Sequence, residues 1–531
     1  MKRSPWLKWV LCSSLLGAVS ACGDGDPPPP PTDGGGADAG MADASAPDSG
    51  VAPVTISWEP CTAARGTREA ECADVEVPID WSDPSGGTTT VFVKRVIRPG
   101  SRGQLWLLHG GPGGTGRLFE SGFDLLDTVV PDLDYYTLDH RGSGASGPLD
   151  CRELAPPAGG YSQLTRESVT ACADRLTRDH PDQLRATRMT AAAEDLAALI
   201  EAVREPSDRV VVYGVSGGTA WAHRYLQLHP EQADAAVLDS ICHTCGDWLA
   251  YERDHDRLGR ALLAECAADT LCASKLGPDP EAFLEALVRP AAPVCPAGLA
   301  GLGTTSVRVA AGNGIENGFA SRYLPAILYR LARCSPADVA ALSTLWANLF
   351  AGSSSAFAGS SMAAFLHIST SDLTPSPPLA EVEAFEATSL FSKELDYLVA
   401  IAAPVWPAGA PDPLAGSFAV TSIPLLMMNG TLDAQTSIEG ARAFAAEMAG
   451  PHHYFVELPR TRHVALTSSA TVADLVNTRP CGAQILASFL ASPESPPDTS
   501  CTVDILPLGF SWGATIDEAM WGTTDIWGDG P

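Results

Sequence analysis

Charge is scarce in this 531-residue chain, and positive charge is scarcest. Only 18% of residues are Asp, Glu, Lys or Arg, with 34 basic against 63 acidic, for a formal net charge of -29. That balance repels phosphate backbones, which argues against nucleic acid as a partner and suits solubility in an extracytoplasmic setting. Repeats of solenoid length are also missing. Beyond the first 22 residues there is no uninterrupted apolar run of about 18 residues, as a membrane-spanning helix would need. Histidines and carboxylates do not cluster at ligand spacing, so no metal or other cofactor is implied. What is abundant is apolar material, 45% of the chain, enough to bury a large core.

The N-terminus reads as an export signal. "MKRSPWLK" is positively charged, "WVLCSSLLGAV" is apolar but too short to cross a bilayer, and small residues follow. Val19-Ser20-Ala21-Cys22 looks like a bacterial lipobox, which implies cleavage before Cys22 and a lipid on its sulfur; the alternative is an ordinary signal cut after "VSA". The expectation is an exported protein of the bacterial cell envelope, tied to a membrane through Cys22. Residues 23 to 53, rich in Pro, Gly, Ala and Asp, form a tether with nothing to build a core from. Setting aside Cys12 and Cys22 leaves 12 of the 14 cysteines, an even number. Their closeness in sequence suggests up to six local disulfides: Cys61/Cys72, Cys151/Cys172, Cys242/Cys245, Cys266/Cys272, Cys295/Cys334 and Cys481/Cys501. "CHTC" at 242–245 lacks the second ligand pair that a zinc reading needs.

From about residue 54 the pattern becomes structured. "VTISWEP", "ADVEVPIDW" and "TTTVFVKRVI" predict antiparallel strands. "QLWLLHG", "DYYTLDHRG", "RVVVYG" and "ADAAVLDS" predict buried parallel strands. In "MTAAAEDLAALIEAVRE", Ala193, Leu196, Leu199, Ile200 and Val203 line one face of a helix. Strands alternating with helices indicate an α/β fold, a mostly parallel sheet covered on both faces. The rhythm stops after Ser240. Residues 242–415 predict a helical cap insertion, and 416–505 return to the core that began at 54–241. The tail, 506–531, has no assignable role.

Strand, "GVSGG", helix is the context in which G-x-S-x-G makes a nucleophile elbow, with Ser216 on a strained turn. A serine at its ordinary pKa needs a base, and the base needs an orienting carboxylate. Asp433 follows the strand "SIPLLMMNG", and His463 follows "HYFVELP"; both loops fall at the edge where Ser216 emerges. His452 and His453 precede that strand and belong at its other end. The glycine loop "HGGPGG" (109–114) supplies backbone donors for a developing oxyanion: Gly111, since Pro112 has no N–H, and Gly217 from the elbow. A phosphate loop is the competing reading, but no G-K-[ST] follows.

With "HGGPGG", "DHRGSGAS" (139–146), "GVSGGT" and the Asp433 and His463 loops, the chain resembles the α/β-hydrolase serine peptidases that include prolyl and tripeptidyl aminopeptidases. "VEVPIDW" and "TAAAEDLAAL" match as well, and Cys481 through Cys501 resembles the C-terminal segment of the tripeptidyl branch. The similarity covers roughly 55–505. It departs at Gly217, where that branch often carries an aromatic, and at "TRH", where "GH" is usual. The resemblance implies an α/β-hydrolase fold with Ser216, Asp433 and His463 as the catalytic set, and it gives "DHRGSGAS" a shaping role beneath the oxyanion loop; a tight structural turn is the other reading. The expected activity is release of short N-terminal peptides or residues. An esterase or amidase with the same triad is the alternative, and a binding protein on a dead scaffold the third. The substrate is thus a short peptide or an ester. An aminopeptidase needs a carboxylate for the substrate amine, and Glu316 in "NGIENGF" is one candidate. Oligomeric state is open.

Overall fold

Apolar runs that stop at glycine loops have their backbone polar groups paired along their length and released at one end, and here they assemble side by side. The computed structural model describes residues 54–529 apart from 156–159, 243–246, 291, 317–319, 350–358, 374–375, 408 and 472–478. The signal, Cys22, the tether and Cys245 lie outside the described residues. The strands are β1 (Glu59–Ala63), β2 (Arg68–Pro78), β3 (Thr88–Val96), β4 (Gly103–Leu108), β5 (Asp134–Leu138), β6 (Arg209–Val215), β7 (Ala235–Asp239), β8 (Leu425–Gly430) and β9 (His453–Leu458). They form a single nine-stranded sheet in the order β1-β2-β3-β5-β4-β6-β7-β8-β9.

β1, β2 and β3 are antiparallel, as their alternation predicts, and β3 also runs antiparallel to β5. From β5 through β4 to β9 every pairing is parallel. The register aligns the carboxyl ends: Leu108 pairs with Gly214, Val215 with Asp239, and Gly430 with Leu458. Loops leaving β4, β6, β7, β8 and β9 therefore emerge along one edge, where ligands sit in open parallel sheets.

One expected strand is displaced. β1 takes only Glu59 and Pro60 from "VTISWEP"; Val54, Ile56 and Trp58 pack on the core instead. Trp58 stacks under the Arg95 guanidinium, 4.0 Å from ring centroid to Cζ, and stands edge-on to Tyr136. Alternation here reports burial of every second residue rather than sheet pairing.

Both faces of the sheet are covered. The helix Met189–Val203 buries Ala193, Leu196, Leu199 and Ile200 on one face, and Cys481–Ala491 buries Ile485, Leu486 and Phe489 on the other. Between β7 and β8 the described residues hold helices and no strand, from Trp248–Ala268 to Leu395–Ala402. These have their own cores, and the tail joins one of them: Met520, Trp521, Ile526 and Trp527 pack with Tyr323, Leu345 and Trp346. Disulfides join Cys61–Cys72, Cys151–Cys172, Cys266–Cys272, Cys295–Cys334 and Cys481–Cys501, each a pair close in sequence as expected; Cys242 is disulfide-bonded too. Among the described residues no helix is long and apolar enough to cross a membrane.

Candidate active site

Ser216 stands between β6 and the helix Gly217–Leu228, with φ 57° and ψ -131°. That conformation is strained for a residue with a Cβ, so the surroundings must hold it. Its N–H donates to the Asp239 carbonyl (3.0 Å), and its own carbonyl accepts from the Thr219 N–H (2.8 Å) and hydroxyl (2.6 Å). The two elements meet at backbone contact. A Cβ on Gly218 would lie 2.1 Å from the Leu108 oxygen, and one on Gly214 would lie 2.4 Å from the Gly218 oxygen.

The loop after β4 lies against this turn. A Cβ on Gly110 would stand 2.4 Å from the Gly217 nitrogen, and one on Gly217 would stand 2.9 Å from the Gly111 nitrogen. The two expected oxyanion donors, Gly111 and Gly217, are thus neighbours. The loop is braced from both sides: the Ser143 hydroxyl of "DHRGSGAS" donates to the Gly114 carbonyl (3.0 Å), and the Ser361 N–H donates to the Gly113 carbonyl (2.9 Å). The rest of "DHRGSGAS" is structural. Asp139 accepts from the Gly116 and Ala145 N–H groups, and Arg141 forms a buried pair with Asp195.

Asp433, three residues past β8, and His463, five past β9, come together at the same edge. His463 Nδ1 lies 3.0 and 2.9 Å from the two Asp433 oxygens, and both side chains are buried. Asp433 also accepts from the Thr436 hydroxyl (2.7 Å) and N–H (2.9 Å). Burial alone would raise the aspartate, but the His463 charge and these donors hold it below its ordinary value. Burial alone would lower the histidine, but Asp433 outweighs it and the net shift is upward. His109, near enough to feel the His463 charge, is pushed down to about 4, chiefly by burial, and stays neutral. His453 starts β9, at the opposite end of the strand from His463.

Asp239, at the end of β7, does work that the sequence reading did not assign. Its carboxylate accepts from Tyr213 OH (2.7 Å) and from the N–H groups of Ala465 (2.8 Å) and Leu466 (2.9 Å), just past His463. With its carbonyl on Ser216, one residue fixes both the elbow and the histidine loop. The signal was present: an acid ending the apolar run "AAVLD".

Glu316 ends the helix Val307–Glu316 in the cap and is buried. Tyr251 OH and His255 Nε2 (2.9 Å) meet one of its oxygens, and Lys393 Nζ (2.6 Å) meets the other. Burial works against its charge, but Lys393 and His255 win and bring it to about 2. Its field is among those that raise His463. Two oxygens offer about four lone-pair sites, so three donors leave room for one more.

A family model described as alpha/beta hydrolase fold matches residues 105–260, and one described as TAP-like protein matches residues 390–501. The tripeptidyl aminopeptidase of Streptomyces coelicolor is 27% identical over 226 residues, 38% of this chain and 41% of that protein. The chain has an α/β-hydrolase fold and is similar to the tripeptidyl aminopeptidases of Streptomyces. The chain spans about two fifths of the length of those Streptomyces relatives. It is also 30% identical over 160 residues to carboxylesterase B of Mycobacterium tuberculosis, covering 24% of this chain and 30% of that one. Among solved structures, a carboxyl esterase from Bacillus coagulans aligns over 83% of this chain and 99% of its own, at 14% identity and a TM-score of 0.34.

Proposed function

We propose that the hydrolase is an exported serine aminopeptidase that removes short N-terminal peptides or residues through an acyl-enzyme on Ser216. The reading rests above all on the Asp433–His463 pair meeting at the sheet edge where Ser216 is held in its strained turn. His463 takes the Ser216 proton as the oxygen attacks the scissile carbonyl, and the N–H groups of Gly111 and Gly217 receive the developing oxyanion. His463 then hands that proton to the leaving amine as the C–N bond breaks. Water, deprotonated by the same imidazole, releases the acyl fragment and restores the serine.

Peptide over ester is supported by the tripeptidyl aminopeptidase relatives and by the carboxylates buried in the cap, Glu316 above all, close enough to influence His463. An amine-bearing substrate profits from such groups and a neutral ester does not. The likeness to carboxylesterase B favours the second reading, an esterase with the same triad. Hydrolysis of aminoacyl- and tripeptidyl-arylamides beside short acyl esters separates them, with Ser216→Ala as control. Turnover of free-amine arylamides that disappears when the amine is acetylated is the expected result. Ester turnover alone would overturn the aminopeptidase reading, and Ser216-independent turnover would overturn both.

Export and anchoring at Cys22 belong to the same proposal. Radiolabelled palmitate should enter the full-length protein expressed in bacteria and not Cys22→Ala; equal labelling of both would contradict it.

A further inference from the structure

A β-branched residue at positive φ is an outlier that persists only where its surroundings over-determine it. Val464, the residue after His463, has φ 63° and ψ 76° and is buried. Two planar peptide groups meet at its Cα, and the end of β7 holds both. The N–H of the His463–Val464 peptide donates to Ser240 Oγ (2.8 Å), and that of the Val464–Ala465 peptide donates to Asp239 Oδ1 (2.8 Å). With both planes anchored, the two free dihedrals of Val464 have nowhere else to go.

Ser240 is held in the same way from the next strand. Its own φ is 59°, left-handed for a residue with a Cβ. Its N–H donates to the Met428 carbonyl of β8 (2.9 Å), and the Ile241 N–H donates to Asn429 Oδ1 (2.8 Å). The Asn429 amide in turn donates to the Thr436 carbonyl (2.9 Å) in the Asp433 loop. The single proton of the Ser240 hydroxyl faces Asp239 Oδ1 (3.3 Å), which leaves a lone pair for Val464. Ser240 and Asn429 are wholly buried, so each acts through its neighbours.

We propose that Ser240 is a positioning residue for His463: its hydroxyl fixes the peptide plane that leaves the histidine, and with it the direction of the imidazole. The placement fits the role. β7 lies between β6, which delivers Ser216, and β8, which leads to Asp433, so a residue at its end refers one loop to the other. A base that is present but misaimed is of little use, since a displacement of about 1 Å can cost a hundredfold in rate. The inference rests on Ser216 and His463 being nucleophile and base, and it is independent of whether the substrate is a peptide or an ester.

Capture of Ser216 by a fluorophosphonate reads the base without a choice of substrate. In Ser240→Ala the maximal inactivation rate should fall by roughly tenfold or more, with the inhibitor's KI unchanged. Ser240→Gly, which is unstrained at this φ, should lose as much; recovery of the rate in the glycine variant would assign the effect to backbone strain and overturn the role of the hydroxyl. Val464→Gly adopts a left-handed conformation freely, so in that background Ser240→Ala should cost less than about threefold; an equal loss in both backgrounds overturns the proposal. The His463 Nδ1 proton, assigned by its disappearance in His463→Gln, gives a readout apart from chemistry. In Ser240→Ala it should exchange with water faster, while the amide protons of β6 in the same sample keep their protection. Unchanged inactivation in Ser240→Ala overturns the positioning role and leaves the triad standing. Labelling of the wild type no faster than Ser216→Ala overturns the triad, and the imidazole proton then decides the positioning role alone: unchanged exchange overturns that too.

Discussion

Asp433 and His463 move one another in opposite directions, the carboxyl down and the imidazole up. Only the neutral imidazole can accept the Ser216 proton. Activity should therefore fall as pH drops through a value above the 6.5 of an ordinary histidine, seen as the acid limb of kcat/KM. Asp433→Asn removes the charge that raises the imidazole, so the limb should move to lower pH while kcat falls by about ten thousand-fold. A limb that stays in place would show that another group sets it. Ser216, Asp433 and His463 were readable because each follows a recognisable strand, and strand order fixes which loops share an edge. Asp239 was not, since its role depends on the three-dimensional neighbourhood of Ala465 and Leu466.

At the scale of elements, the elbow depends on backbone meeting backbone. Gly218→Ala places a methyl against the Leu108 carbonyl, which no rotamer can relieve. Overpacking of this kind costs roughly 1–3 kcal/mol, with the elbow displaced as the structure yields. A denaturant midpoint and kcat should fall together; a fall in neither would mean that the strand and helix are not so closely packed. The cap carries a different tension. Asp396, at the start of Leu395–Ala402, is buried and has one oxygen with no partner. Burial, then the charges of Glu252 and Glu386, push it up to about 10, so it is a neutral acid at pH 7. Its folded form holds a proton that the unfolded chain loses above about 4. Its contribution to stability therefore declines as pH rises from there toward 10. Asp396→Asn removes that decline and should raise the melting temperature more at pH 9 than at pH 5; an equal shift at both would contradict the protonated acid. The cap's helices were legible from their alanine- and leucine-rich composition. Which acids they would bury together was not, because helical periodicity gives a face but not the partner it meets.

Across the whole molecule, the segment without an assignable role ties cap to core. The Leu506 N–H bonds to the Ala470 carbonyl, and Arg460 donates to the Ile505 and Leu506 carbonyls on the core side. On the cap side Arg330 and Arg333 donate to the Ile526 and Trp527 carbonyls, and Trp521 is buried edge-on to Tyr323 at 5.5 Å. Trp521→Ala should cost about 3–5 kcal/mol, read as an earlier denaturant transition. A change below 1 kcal/mol would show the tail to be an ornament on an independently stable cap. The sheet, its switch from antiparallel to parallel and the local disulfides could all be foreseen from patterns within short windows of sequence. The tail could not. Its tryptophans find their pocket nearly two hundred residues away, among helices whose own arrangement is a tertiary fact.

The account's central claim is that Ser216 is a nucleophile activated by His463. Labelling with a fluorophosphonate followed by peptide mass mapping tests it most directly. A single adduct on the peptide carrying Ser216, absent from Ser216→Ala and strongly slowed in His463→Ala, is the predicted result. An adduct at another residue, or labelling of Ser216 that His463→Ala leaves unslowed, would contradict it.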